Sequence, residues 1–176
     1  MAFIGLVDEG QVAPEVRRLF DQVKKERGLL PNFLRAIGRD ADVLRGDTSL
    51  STAAMKEGAL PAKLKEQIGV VVSGINASSY CVAFHMENLR VLGIETSLGK
   101  KLATRYETAT SDAKTQALFR FCDKLTRQQD ELAAEDVDVL RAAGWSDVEI
   151  FEAVIVVAYF NFANRISLGL GLVADY

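Results

Sequence analysis

The amino-acid sequence predicts an all-α fold. Apolar residues recur at spacings of three and four nearly everywhere, no stretch alternates long enough to require a sheet, and prolines, glycines and serines punctuate the segments as helix starts and stops. With 176 residues, 49% of them hydrophobic, the chain can bury one sizeable core, or two small helical lobes that share one. A single domain over residues 1–176 follows, without an obvious repeat, low-complexity tract or long linker.

Taken in order, Pro14 in a first-turn position opens a helix whose Val16, Leu19, Phe20 and Val23 share a face, and Gly28 closes it. Leu29 to Asn32 form a turn into a helix from Phe33 to Ile37. Asp40 to Lys56 is more polar and predicts one or two short helices, with Gly58 and Pro61 marking the boundary before the central segment, residues 61–93. There Pro61 starts a helix with Leu64, Ile68, Val71, Val72 and Ile75 along one side. Val70 lies off that stripe, so this helix is apolar over most of its circumference and is expected to be buried. Gly74, Asn76 and Ala77 break it, and a second helix runs to about Leu92 and stops at Gly93. Thr96 to Thr108 reads as a further helix, and Ser111 begins another with Ala117, Leu118, Phe121, Cys122 and Leu125 inward. Asp136 to Ala143 ends at Gly144. Ser146 and Glu149 make a capping box, flanked by Trp145 and Ile150 as a hydrophobic staple. The last helix, Asp147 to about Leu168, is apolar on all sides through Ile155, Val156, Val157, Tyr159, Phe160 and Phe162. Cover on every face of such a helix predicts a subunit interface.

Charge and composition exclude several classes of function. The 21 basic and 24 acidic residues, net −3, are mixed along the chain, whereas nucleic-acid binding rests largely on clustered Lys and Arg. Acidic side chains arrive in MAFIGLVDEG before any run long enough for a secretory signal, and the apolar run Ala153 to Asn164 is too short to span a bilayer. A soluble, cytosolic protein is expected. Cys81 and Cys122 make no disulfide framework, so free thiols in a reducing compartment are the default.

The chemistry concentrates between Glu66 and Arg90. This stretch holds the only histidine, His85, and Cys81 four positions before it. If Ser78 or Ser79 caps the second helix, Cys81 sits in its first turn and His85 lies one turn later on the same face. Unpaired N–H groups and the helix dipole there favour a thiolate, and a neighbouring imidazole can take or return its proton. The plain alternative makes Cys81 a small buried hydrophobe and His85 a core histidine bonded to a carbonyl. A zinc site needs three or four ligands, and one His and one Cys do not complete it. Glu66 is open to two readings: a solvated carboxylate between Lys63 and Lys65, or a buried one that orients His85. In a tight antiparallel hairpin Glu66 lies ~15 Å and His85 ~9–10 Å from the break, an offset that two long side chains can close.

Glu66, twelve positions on Ser78, then N-A-S-S-Y-C-V-A-F-H with Leu89 and Gly93 following, resembles the core motif of the alkylhydroperoxidase D (AhpD) and carboxymuconolactone decarboxylase superfamily, in its peroxidase-related branch. Leu30-Pro31-Asn32, the Gly144 to Ile150 segment and the Phe160 to Ile166 segment extend the likeness over most of the chain. The resemblance implies an AhpD-like helical bundle assembled as a dimer, trimer or hexamer. It also implies a peroxidase in which Cys81 is the second motif cysteine and His85 with Glu66 is the proton relay. Ser78 stands where the first cysteine belongs, so the family's dithiol cycle is closed to this sequence. The expected partners are a hydroperoxide substrate and an external thiol reductant, with no bound cofactor, metal, nucleic acid or membrane. The resemblance equally admits a lyase acting on a small carboxylated lactone, marked by an Arg or Lys near His85, and a non-catalytic oligomeric member. Cys122, on an apolar stripe, reads as an inert core cysteine; Tyr80 either packs or hydrogen-bonds in the pocket. Asn164 and Arg165 line a site or an interface, with an ion pair the plainer reading for Arg165.

Overall fold

The computed structural model describes residues 2–175, which form nine α-helices, two single 3₁₀ turns and no strand. The helices are α1 (Pro14–Arg27), α2 (Asn32–Ile37), α3 (Ala41–Met55), α4 (Ala62–Ile75), α5 (Ser79–Val91), α6 (Thr96–Arg105), α7 (Ala113–Arg127), α8 (Ala134–Ala142) and α9 (Asp147–Gly169). The polar 40–56 segment is one helix, because the Asp40 side chain accepts the N–H groups of Asp42 and Val43 and the chain continues helically through Gly46. Asp112, not Ser111, caps α7 by accepting from Thr115 N–H. Helix α8 begins before Asp136, whose carboxylate reaches back to the Ala133 N–H at 2.8 Å. The capping box at Ser146 forms as the sequence predicts, with Trp145 and Ile150 both buried beside it.

Helix α4 is the axis of the molecule, packed by α3, α5, α6, α7 and α9. Ile68, Val70, Val71 and Val72 are fully buried. Two glycines set how closely its neighbours approach. A Cβ on Gly74 would lie 2.1 Å from the Ala103 carbonyl oxygen on α6, and one on Gly69 would lie 2.1 Å from Phe160 Cζ on α9. Phe160 is itself fully buried and has nowhere to turn. Gly69→Ala is therefore expected to cost about 1–3 kcal/mol through overpacking. Urea unfolding is expected to show a lowered midpoint with an unchanged slope.

Lys65, beside Glu66, is buried. It shares a helical face with Ile68 and Val72 and is 2% exposed. Its ammonium lies 2.9 Å from Glu152 and donates to the Lys56 carbonyl at 2.8 Å, while Glu152 also accepts the Ala59 and Leu60 N–H groups. This network fastens the turn before α4 to α9.

Buried apolar side chains form two clusters. The larger surrounds α4, α6, α7, α8 and α9 and contains Cys122; the smaller joins α1, α2 and α3 to Tyr80, Cys81, Ala163 and Leu172. Tyr159 packs against both, and Cys81 belongs to the smaller one. Helix α9, at 23 residues, is long and apolar enough to cross a bilayer, yet 44% of its most apolar window is buried within the fold. Phe151 and Val148, at 63% and 60% exposed, remain uncovered on its outer side.

Candidate functional site

Helix α4 ends through Ala77, whose φ of 54° is the left-handed cap conformation, with Ser78 N–H returning to the Ser73 carbonyl at 2.9 Å. The chain reverses there, and α5 runs back along α4. This hairpin closes the offset that the sequence left open. Glu66 Oε2 lies 2.6 Å from His85 Nδ1, and Asn88 donates to Oε1 of the same carboxylate at 3.1 Å. The Glu66 and His85 side chains are 13% and 15% exposed. Glu66 is thus a largely buried partner of the imidazole and not a solvated first-turn acid. With Nδ1–H assigned as the donor to Glu66, Nε2 of the neutral ring is the free acceptor. Phe84 and Phe160 meet the ring edge-to-face, at centroid separations of 5.1 and 4.5 Å, and hold its plane.

Cys81 is the third residue of α5 and His85 follows one turn later, as their spacing predicts. Cys81 is 4% exposed. No hydrogen bond joins the sulfur to the imidazole; its partner is Ser167 Oγ on α9, 3.3 Å away. Ser167 donates its own proton to the Ala163 carbonyl at 2.9 Å, so toward the sulfur it acts as an acceptor of the thiol proton. The sulfur, the imidazole and Glu66 nevertheless line one cavity of about 430 Å³.

Ser78 occupies the N-cap position of α5 but caps nothing. Its ψ of 86° differs from the 159° of the capping Ser146, and its hydroxyl is buried with no hydrogen-bond partner. It neither lines the cavity nor contacts the Cys81 sulfur through a hydrogen bond. Cys122 lies in the larger core, fully buried, where burial pushes its thiol pKa up. Tyr80 does more than pack: its hydroxyl accepts from Phe33 N–H at 3.0 Å and donates to Asp175 at 2.8 Å. Burial raises its pKa, so it stays a neutral phenol. Asn164 is buried and links Asn76 to Ser73. Arg165 forms no ion pair within the described chain; it is exposed and donates to Asn161 on its own helix.

The cavity also holds residues that sequence patterning passes over. Asp47 on α3 is 5% exposed and accepts from the Tyr159 hydroxyl at 3.4 Å. Burial pushes the Asp47 carboxyl up to about 6, against the pull of that hydrogen bond. The available signal was its position three residues after Leu44, on the stripe that continues to Ala54. Arg27, its guanidinium 5.4 Å from the Phe84 ring centre, and Lys56 supply positive charge to the lining. Among the described residues there is no cluster of three or more His, Cys, Asp or Glu side chains that would hold a metal.

Residues 41–97, spanning α3, α4, α5 and the start of α6, match the sequence profile of the carboxymuconolactone decarboxylase family. No curated protein matches the chain significantly. An uncharacterized peroxidase-related protein from Silicibacter sp. TM1040 is 29% identical, superposes with a TM-score of 0.89, and the match covers 97% of this chain and 89% of that one. An uncharacterized peroxidase-related protein from Ralstonia eutropha JMP134, described as an alkylhydroperoxidase AhpD core, is 23% identical over 98% of this chain and 91% of that one, with a TM-score of 0.91. The debrominase Bmp8, in complex with 2,3,4-tribromopyrrole, is 18% identical over 96% and 89%, with a TM-score of 0.79. At 23% and 18% identity the likeness is one of fold.

Proposed function

Because the chain belongs to the alkylhydroperoxidase D and carboxymuconolactone decarboxylase superfamily, we propose that it works as a thiol-dependent peroxidase on hydrogen peroxide or organic hydroperoxides. The observation that carries this reading is the 2.6 Å Glu66–His85 bond, which leaves Nε2 free in the cavity that Cys81 also lines. His85 Nε2 accepts the Cys81 proton, directly or through a water, as the Ser167 hydroxyl turns to donate to the sulfur. The thiolate attacks the terminal oxygen of the hydroperoxide, the O–O bond breaks, and the leaving alkoxide takes the proton back from Nε2 as an alcohol. Cys81 becomes a sulfenic acid, reduced by two electrons' worth of external thiol. A first thiol releases water and forms a mixed disulfide; a second frees Cys81 and leaves as the disulfide of the reductant. No internal partner serves, since Ser78 carries a hydroxyl and Cys122 is sealed in the other core. The catalytic set is accordingly Cys81, His85 and Glu66. Ser78, without a hydrogen bond to the sulfur, stands at the place of the motif's first cysteine.

Mass spectrometry after substoichiometric peroxide tests this. Sulfenic acid is expected at Cys81 and not at Cys122, and equal or absent labelling would defeat the reading.

Arg27 favours a second reading, a lyase on a small carboxylated substrate. It lines the cavity without a carboxylate partner among the described residues. His85 and Glu66 would then be the acid and base, and Cys81 incidental. One fold neighbour is a debrominase, so the fold alone does not select peroxide. A Cys81→Ala variant separates the two, since lyase activity would survive it. The uncovered Phe151 and Val148 on α9 support a homo-oligomer, which light scattering would test.

A further inference from the structure

The relay occupies only one wall of the cavity. On another wall Asp47 presents a carboxylate that the proposed chemistry does not use. It is almost fully buried and forms no ion pair among the described residues. One of its oxygens takes a single long bond from Tyr159, at 3.4 Å, and the other accepts from no described residue. That second oxygen is open to the cavity, so a carboxylate held on one side by Tyr159 presents a ready acceptor to whatever fills the cavity. Asp47 therefore acts as an acceptor: Tyr159, whose own pKa burial pushes up, keeps its proton and supplies the one internal donor. With its pKa near 6 the carboxyl is mostly ionised at neutral pH. Val23, Pro31, Leu34 and Phe84 give the same lining an apolar part, beside the polar Thr48, Ser51 and Thr52 of α3.

We propose that Asp47, supported by Tyr159, is the substrate-anchoring and specificity-determining residue of this cavity, selecting small molecules with an apolar body and an N–H or O–H donor. The donor is held at Asp47 while the body fills the apolar part of the cavity and the reacting atom points to the Cys81 and His85 wall. This rests on the cavity being the substrate site, as the proposed function has it, but not on which reaction follows. A carboxylate acceptor strengthens a ligand's hydrogen bond relative to a neutral one, and a ligand lacking the donor leaves the acid unsatisfied.

The test is equilibrium binding of phenol and of toluene, which shares its shape but has no donor, measured by calorimetry without peroxide. Phenol is expected to bind the wild-type protein more tightly than toluene, against toluene's greater tendency to leave water. Asp47→Leu is expected to shift the phenol-to-toluene affinity ratio by at least about tenfold toward toluene. Should that variant fail to fold, Asp47→Asn, similar in size and neutral, is expected to shift the ratio the same way by about threefold or more. Undetectable phenol binding at millimolar concentration, toluene binding as tightly as phenol, or a ratio unchanged by both substitutions would each overturn the assignment. Because binding is read without oxidation, failure here is distinct from failure of Cys81 to form a sulfenic acid.

Discussion

Replacing His85 with alanine is expected to slow oxidation of Cys81 by peroxide by about 10²–10⁴-fold at neutral pH, the usual worth of a positioned general acid–base group. The structure supplies the reason. Glu66 binds Nδ1 at 2.6 Å, Asn88 steadies that carboxylate, and two aromatic edges fix the ring plane, so the imidazole is held in one orientation before any substrate arrives. Glu66→Gln is expected to lose less than His85→Ala, because its amide oxygen still accepts from Nδ1–H. Glu66→Ala is expected to lose more than Glu66→Gln, since the ring is then free to turn. Stopped-flow measurement of the peroxide reaction across the three variants checks the order, and a His85→Ala rate equal to wild type would remove the imidazole from the mechanism.

Glu152→Gln is expected to cost about 3 kcal/mol of stability, at the lower end for breaking a buried ion pair, because the Glu152 side chain is 21% exposed while that of Lys65 is 2% exposed. The loss comes from leaving the Lys65 ammonium buried without its counter-charge. Adding Lys65→Met is expected to restore much of it, since an apolar pair of similar volume leaves no charge to desolvate. Urea unfolding of both variants checks this. The same pair predicts acid sensitivity. Burial works against the Glu152 carboxylate, yet the Leu60 and Ala59 N–H groups and the Lys65 ammonium hold its pKa down to about 2 from 4.5. A carboxyl depressed on folding contributes stability that is complete above the unfolded value and disappears as pH falls through the folded one. Stability is therefore expected to decline from about pH 4.5 toward pH 2 in the wild type, with a shallower decline in Glu152→Gln.

Much of the site was legible in the chain. Cys81 and His85 are one turn apart on any helix that contains them, and Gly74, Asn76 and Ala77 require that helix to be a new one. Glu66 was not decided, because its distance from the break exceeds that of His85 by about 5 Å and a solvated carboxylate between Lys63 and Lys65 is the plainer reading of the sequence. Lys65 was passed over because a charge beside Glu66 and Lys63 reads as surface, although its Ile68 and Val72 spacing put it on the inner face. Asp47 was missed for the same reason, an acid in a polar segment whose helical phase matched the buried Leu44.

Periodicity, caps and breaks along the chain determined most of the helices, the break between α4 and α5 and the placing of Cys81 before His85, because these depend on neighbours within a turn or two. Only the tertiary structure decided that Phe160 clamps the imidazole through the gap left at Gly69, that Ser167 holds the sulfur, and that Asp47 faces the same cavity. Those partners lie tens of residues away in sequence, and their contacts exist only once the two lobes close and bury the groups together.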